Sequence, residues 1–444
     1  MTADAFRIEP FESSLAAAPG EAFEVGVRVH NLGPTALSSE APHPVHLSYH
    51  WLGPNGSMIV HDGLRTVLGS ELKPFSSRVL RLRVLVPPHS GQLSLAIDLV
   101  REGVRWFGHP ATGAALITVS VRSDPAADRQ RRCEGRHLRT LLVSASDSAF
   151  TPLAKGLYLS LFACGLPSAD VHAAFIDIEN CPDARRWMYD RGVMVSLASD
   201  LQLGSQYTAR PPLRYTGAQN IRPFLPELFP EYHSIVWLDS DTWVQNESSI
   251  TILTSLPHIH PEMLFISPTV DTAYQKFYED YSAYLHAYSQ VYRSCYDESV
   301  AAEMSGRAVL STGVFSLSAR SVLWERWKAE LATVYAKDYT GNLDTLHVAE
   351  QVALNVAAYR SRQFVPLEAI HNFHCHAGAR VERDQRFGKV VVEQQPFREI
   401  GIVHLSDFPR HASDYLSRGL LWDRGAYLSE DELRALRDYR RKAP

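Results

Sequence analysis

An all-β module followed by an α/β domain on a mixed, mainly parallel sheet is the architecture this sequence predicts. Three observations carry that prediction. Residues 1–122 hold short runs of period-two alternation between turns rich in glycine and proline. Beyond residue 137, apolar strand-like runs alternate with stretches of helical spacing, as in a βαβα succession. Between the two lies a stretch with no apolar period at all. At 444 residues the chain also exceeds the size at which one core keeps growing, so two or three domains are expected.

In the first module, Phe23, Val25, Val27 and Val29 alternate with Glu24, Gly26, Arg28 and His30. They make a half-buried strand that stops at Asn31-Leu32-Gly33-Pro34. Val45, Leu47 and Tyr49 repeat the period before a Pro54-Asn55-Gly56 turn, and Leu80, Leu82 and Val84 do so up to Pro87-Pro88. Strands over 93–100 and 114–121 complete a set that fits a β-sandwich over 1–122. Trp51 and Trp106 are suited to stacking on sugar rings, although burial in the sandwich is the commoner fate of such residues. Residues 123–136, rich in Arg, Asp and Ala, read as a linker. The α/β domain is expected over 137–412, with strands at 138–143, 171–177, 193–197 and 234–238. Its helices are expected at 152–164, 183–190, 273–288, 319–336 and 345–359. Residues 413–444 read as a helical tail, with a polar helix near 429–441.

Composition narrows the function classes. With 45% hydrophobic and 21% charged residues this is ordinary globular protein. A net charge of -5 argues against a nucleic-acid binder, whose footprint is a basic stripe. The five cysteines, at 133, 164, 181, 295 and 375, are too scattered for a disulfide scaffold and include no CxxC pair, so buried thiols in a reducing compartment are expected. The first nine residues carry two acids, no basic leader and no apolar run. The expectation is therefore a cytoplasmic protein, compatible with docking at the inner face of a membrane.

The chemistry-bearing motif is Asp239-Ser240-Asp241, directly after the apolar run Ile235 to Leu238. Ligands of open α/β sheets gather beyond the carboxyl ends of strands, where this acidic pair is displayed. Two carboxylates around one residue suit a hard cation such as Mn²⁺ or Mg²⁺, which keeps open positions for phosphate oxygens. Such a cation stabilises the charge that develops on a departing diphosphate. An acidic pair also serves nucleotidyltransferases and phosphohydrolases, and short acidic turns are common. GxxxxGK[ST], GxGxxG and HExxH are all absent, which removes the simplest ATPase, dehydrogenase and zinc-protease readings.

Over about residues 138–410 the chain resembles the retaining nucleotide-sugar glycosyltransferases of the glycogenin and galactosyltransferase type, family 8-like, whose fold is called GT-A. The likeness is carried by motifs in order. Leu142-Val143-Ser144-Ala145-Ser146-Asp147 is similar to the family's nucleoside-contacting strand end, which implies donor contacts for Ala145 and Asp147; the alternative is a helix cap by Asp147. Gln219-Asn220-Ile221-Arg222-Pro223-Phe224-Leu225 resembles the helix whose arginine lies near the diphosphate, placing Arg222 there. The family's Asn-Ser-Gly-Val strand corresponds to Ser311-Thr312-Gly313-Val314, with Ser311 in place of the amide. Glu350-Gln351, followed by Asn355, matches the pair near the anomeric carbon, with Glu350 where the family has Asp. The closing His-x-x-Gly-x-x-Lys segment reads His404-Leu405-Ser406-Asp407-Phe408-Pro409-Arg410, with Asp407 for Gly and Arg410 for Lys.

The resemblance thus implies Asp239, Asp241 and His404 as metal ligands and Ser240 and Arg410 as donor contacts. Glu350 and Gln351 would frame the reacting sugar, Arg222 and Arg410 would neutralise the diphosphate charge, and other glycan-assembly proteins are compatible partners. The donor implied is a nucleoside-diphosphate sugar, UDP-sugar favoured, and the acceptor a glycan or lipid-linked saccharide. His371, His374 and His376 stand as a separate polar cluster, either ligands or loop residues. The N-terminal module resembles β-sandwich domains of bacterial surface-polysaccharide enzymes through Pro44-Val45-His46-Leu47-Ser48-Tyr49-His50-Trp51 and Asp62-Gly63-Leu64-Arg65-Thr66. A glycan-binding or scaffold protein with a degenerate transfer site is the non-enzyme alternative, motivated by Ser311 and Asp407.

Overall fold

The computed structural model describes residues 6–108, 115–122, 139–204, 207, 216–274, 280–337, 347–375, 381–384, 389–392 and 398–406. The expected linker, the tail over 413–444, and Asp407, Arg410 and His376 lie outside the described residues. The chain forms two compact units: Met1–His137 with Pro182–Asp200, and Leu138–Cys181 with Leu201–Pro444. Within the stretch expected as one α/β domain over 137–412, Pro182–Asp200 groups with the first unit.

The first unit has two sheets. Phe6–Pro10, Ala22–Asn31 and Ser76–Leu85 form one, all antiparallel. Ser14–Ala17, Ala115–Val121, Gly91–Arg101, Val45–Leu52 and Met58–Val60 follow in that order in the other. The alternation in sequence becomes alternation in burial. Val25, Val27 and Val29 of the first sheet share one apolar cluster with Leu47, Tyr49, Leu95 and Ile97 of the second. Trp51 lies inside that cluster with its indole donating to the Leu85 carbonyl at 2.9 Å, which removes it from sugar stacking. Trp106 is half-buried, with the His50 ring 4.1 Å away and the Arg65 guanidinium 5.2 Å from its ring centre.

The helix Pro182–Tyr189 and strand Met194–Leu197 cluster with this unit because polar side chains of the first sheet reach them. Ser77 Oγ donates to the Val195 carbonyl at 2.8 Å, and Arg28 Nη1 to Ser196 Oγ at 3.2 Å.

In the second unit the strand order runs Val171–Asp177, Thr140–Ser146, Ser234–Leu238, Leu310–Ser318, Leu264–Pro268, Phe364–Pro366. Leu310–Ser318 runs antiparallel to both neighbours and the other junctions are parallel. The sheet is thus mixed with mainly parallel junctions. A small sheet of Thr242–Val244, Ile402–His404 and Phe373–His374 lies alongside in the chain's path.

Three helices start later than the periodicity predicts. The helix Tyr281–Cys295 begins where Asp280 accepts from the Ala283 amide at 3.0 Å, not at 273. Leu323–Tyr335 begins after Ser318 and Ser321 have taken the amides of Arg320 (3.3 Å) and Leu323 (3.2 Å), not at 319. The helix expected over 345–359 spans Ala349–Ser361. Glu247–Ile259, capped by Asn246, is a helix that periodicity did not disclose. Among the described residues no helix is long and apolar enough to cross a membrane, and Cys164, Cys181, Cys295 and Cys375 are free thiols.

Candidate metal centre

Ile235, Val236, Trp237 and Leu238 are all buried, and the strand they form is flanked by Thr140–Ser146 and Leu310–Ser318. The chain then turns through Asp239-Ser240-Asp241 and returns as Thr242–Val244. The Thr242 amide closes that turn on the Asp239 carbonyl at 2.9 Å, and the Asp239 amide donates to the Gly313 carbonyl at 2.7 Å. Thr242 pairs with His404 in the small sheet, while the Leu405 amide donates to the Asp241 carbonyl at 2.9 Å. These backbone links deliver His404 from far along the chain to the acidic turn. Ligand atoms of Asp239, Asp241 and His404 lie within 4.8 Å of one another. His404 Nε2 is 3.3 Å from Asp241 Oδ1 and 3.9 Å from Asp239 Oδ2. Two carboxylates and one imidazole fit Mn²⁺ well, and Mg²⁺ less closely because it prefers an all-oxygen shell.

Asp239 is divided between two tasks. Its Oδ1 accepts from the Trp237 indole at 2.7 Å and from Arg222 Nη2. That leaves Oδ2 facing His404. Arg222 Nη1 donates to Glu350 Oε2 at 2.5 Å and to Thr312 Oγ1 at 2.8 Å, and its guanidinium lies 5.1 Å from the Trp237 ring centre. The arginine thus commits both terminal nitrogens to the protein and ties the acidic turn to Glu350. Burial pushes the Glu350 carboxyl up to about 7; Arg222 opposes this and the charge of Asp239 adds to it. Burial alone would raise Asp241 and lower His404. Their facing charges override it, holding Asp241 below the usual carboxylate range and His404 above the usual imidazole value.

Glu350 and Gln351 stand in the first turn of Ala349–Ser361, where the Trp327 indole donates to the Glu350 carbonyl at 3.2 Å. Gln351 Oε1 accepts from the Thr312 amide at 3.4 Å. Asn355 is structural: its carboxamide takes the amide and the carbonyl of Leu310 at 2.7 and 3.0 Å, latching helix to strand. Gly313 has a steric role. A Cβ there would stand 2.3 Å from His404 Cε1 and 3.1 Å from Asp239 Oδ2.

Of the remaining expected residues, Ala145 is buried at the end of Thr140–Ser146. Asp147 follows it and accepts from the Phe150 amide at 2.9 Å, just before the helix Thr151–Ala163. Ser240 is half-buried in the turn. The histidine cluster separates: His371 bonds Ser249 Oγ at 2.8 Å, whereas His374 lies beside His404 with ring centres 4.7 Å apart. Sequence reasoning missed Trp237, Thr312 and Asn372 as parts of the centre. Asn372 Oδ1 is 2.9 Å from His404 Nδ1, and its Nδ2 donates to Ser311 Oγ at 3.0 Å. Thr312 lay inside the Ser311-Thr312-Gly313-Val314 motif without being singled out, and neither Trp237 nor Asn372 carried a spacing that marked it.

No protein-family model matches the sequence, and no curated protein matches it. Among solved structures, the chain is similar to the bifunctional glycosyltransferase WbbM in its apo form at 14% identity and a TM-score of 0.37, over 66% of this chain. It spans about half of that protein, 49% of its length. Mouse xyloside xylosyltransferase 1, apo form, is similar at 12% identity and a TM-score of 0.36, over 61% of this chain and 97% of that one. The galactosyltransferase LgtC, in complex with donor and acceptor sugar analogs, is similar at 13% identity and a TM-score of 0.35, over 67% of this chain and 95% of that one.

Proposed function

We propose that this protein is a metal-dependent glycosyltransferase that moves a hexose from a nucleoside-diphosphate sugar, UDP-sugar favoured, to a glycan or lipid-linked saccharide. The observation that carries the reading is the convergence of Asp239, Asp241 and His404 at the end of a central strand, next to the buried Arg222–Glu350 pair. The GT-A-type site order read from the sequence supports the donor class and the retaining outcome, and the likeness of the N-terminal module to domains of bacterial surface-polysaccharide enzymes supports a place in that synthesis. The likeness of the N-terminal module to sandwich domains of surface-polysaccharide enzymes supports an accessory role for the first unit, and the scattered cysteines support a reducing, cytoplasmic setting at the inner face of a membrane.

Asp239 Oδ2, Asp241 and His404 Nε2 would hold Mn²⁺ or Mg²⁺. The cation supplies positive charge where the β-phosphate accumulates negative charge as the sugar leaves. Arg222 acts as a strut: by fixing Asp239 Oδ1 and Glu350 together it sets the distance between the metal-binding turn and the residues that frame the sugar. Glu350 and Gln351 frame the reacting sugar, while Ala145, Asp147, Ser240 and Arg410 contact the donor. No protein base is required if the leaving phosphate takes the acceptor proton on the same face.

The test offers the purified chain a panel of nucleotide sugars and glycan acceptors with and without Mn²⁺, alongside Asp241→Asn. Metal-stimulated release of nucleoside diphosphate, reduced about 10²–10³-fold in the variant as for loss of one transition-state charge contact, supports the reading. Release of nucleoside monophosphate or pyrophosphate would point to a nucleotidyltransferase or phosphohydrolase. Glycan binding without metal-stimulated turnover would point to a degenerate transfer site.

A further inference from the structure

We propose that Asn372 is a positioning residue that fixes His404 in the tautomer able to bind a cation through Nε2. It is itself held by a hydrogen-bonded chain through Ser311 and His374 to Ser406. The inference rests on the metal-centre reading above and adds to it what orients the imidazole.

His404 Nδ1 and Asn372 Oδ1 are 2.9 Å apart, and both residues are buried. A carboxamide oxygen only accepts, so Nδ1 carries a hydrogen. Nε2, which faces both aspartates, is then the nitrogen that exchanges its proton for a cation. With the carboxamide reversed, its amino group would meet Nδ1, the ring would keep its hydrogen on Nε2, and the three-ligand set would be broken.

The neighbours of Asn372 oppose that reversal. Its Nδ2 donates to Ser311 Oγ at 3.0 Å, and the same oxygen lies 3.0 Å from His374 Nε2. With the Ser311 oxygen accepting from Asn372, its own hydrogen goes to His374 Nε2. His374 then carries its hydrogen on Nδ1, 3.3 Å from Ser406 Oγ. Every group in the series donates away from the metal centre, so each bond reinforces the polarity of the next. The backbone holds the series in place: the Asn372 amide bonds the Ala369 carbonyl at 2.9 Å, and Phe373–His374 pairs in parallel with Val403 and His404. Ser311, which stands where the resemblance places an amide, is here the hydroxyl that receives one from Asn372.

The experiment measures Mn²⁺ affinity of the full chain by electron paramagnetic resonance, and the tautomer of neutral, metal-free His404 by ¹⁵N resonance. The His404 signal is assigned by its loss in His404→Asn. In the wild type the Nδ1–H form is expected. Asn372→Ala should mix the tautomers and weaken Mn²⁺ about 10–100-fold, the usual cost of losing an outer-shell partner. Asn372→Asp, which keeps the acceptor, should retain most of the affinity, and Ser311→Ala should fall between. Wild-type Mn²⁺ affinity and an unaltered tautomer in Asn372→Ala would overturn the proposal. If that variant does not fold, wild-type affinity in Ser311→Ala together with Asn372→Asp no tighter than Ser311→Ala would overturn it. Asp241→Asn run in the same titration separates the two readings. If it binds Mn²⁺ like the wild type, the metal centre itself is wrong; if it alone loses binding, only the role of Asn372 fails.

Discussion

On one side of Asp239 stand Arg222 and Glu350, whose side chains are 4% and 2% exposed and whose charges are matched by close hydrogen bonds. On the other stand Asp241 and His404, where the Asp239 and Asp241 side chains keep 21% and 18% of their surface open. One carboxylate therefore belongs to both a closed region and an open one, Oδ1 to the first and Oδ2 to the second. The difference shows how a cluster with several charges can be rigid and still have ligand capacity. On the closed side the two terminal nitrogens of Arg222 bridge Asp239 and Glu350, while Arg222 Nε and Glu350 Oε1 stay buried without a hydrogen bond; on the open side Asp239 Oδ2 and Asp241 face the His404 nitrogen.

The strongest way to break this comparison is to remove the strut. Arg222→Met leaves Glu350 and Asp239 without their shared cation, and should cost about 3–5 kcal/mol in chemical denaturation, the range for breaking a buried pair by deleting one partner. An unchanged denaturation midpoint would show that the closed side is not held by charge.

A smaller and more selective effect is expected where the two sides touch. Gly313→Ala inserts a methyl group against His404 and Asp239 Oδ2. The overpacking should cost about 1–3 kcal/mol of stability, with Mn²⁺ binding weakened about 10-fold or more through the displaced imidazole. Calorimetric titration with Mn²⁺ checks it; wild-type affinity would mean the glycine is incidental to the centre.

The remaining effects are those of pH, where a tenfold difference in proton affinity between the folded and unfolded chain is worth about 1.4 kcal/mol. Glu350 titrates in the folded chain at about 7, above its ordinary 4.5. Its contribution to stability is complete below 4.5 and is lost as pH rises through about 7. Asp241 is shifted down, so its contribution is present above the ordinary carboxylate value and is lost as pH falls through its depressed value. His404 is shifted up, so its contribution fades only as pH rises through its raised value. In metal-free protein, Glu350→Gln should flatten the loss of melting temperature approaching pH 7, and Asp241→Asn the loss on the acid side. Mn²⁺ must displace the His404 proton, so its affinity should climb with pH up to the raised value of this imidazole and level off above it. A pH-independent Mn²⁺ affinity would remove His404 from the ligand set.

The strands of both units were legible because their signal is local. Val25, Val27 and Val29 alternate with polar residues, and Ile235 to Leu238 are apolar without interruption. Helix starts were less legible: the residues that fix them, Asp280 and the pair Ser318 and Ser321, act through single hydrogen bonds that periodicity does not register. The mixed direction of Leu310–Ser318 and the return of Pro182–Asp200 to the first unit depend on partners elsewhere in the chain. In the candidate site, Asp239, Asp241, His404, Arg222 and Glu350 were visible as residue types in order. Trp237, Thr312 and Asn372 were not, because an indole in an apolar strand, a threonine beside a glycine and an asparagine between histidines have no special spacing.

Which donor atoms stand at the acidic turn follows from local sequence, because two carboxylates flanking one residue at the end of an apolar strand are set by a few consecutive backbone angles. Only the tertiary structure decided which oxygen of Asp239 is committed and which nitrogen of His404 is free. Those choices are made by hydrogen bonds between residues 17, 32 and 128 positions apart, joining Arg222 to Asp239, Asn372 to His404 and Arg222 to Glu350. The physical reason is that a carboxylate or an imidazole has two nearly equivalent ends. Their equivalence is broken only by the partner that reaches one of them first, and in this fold those partners arrive from other strands and helices.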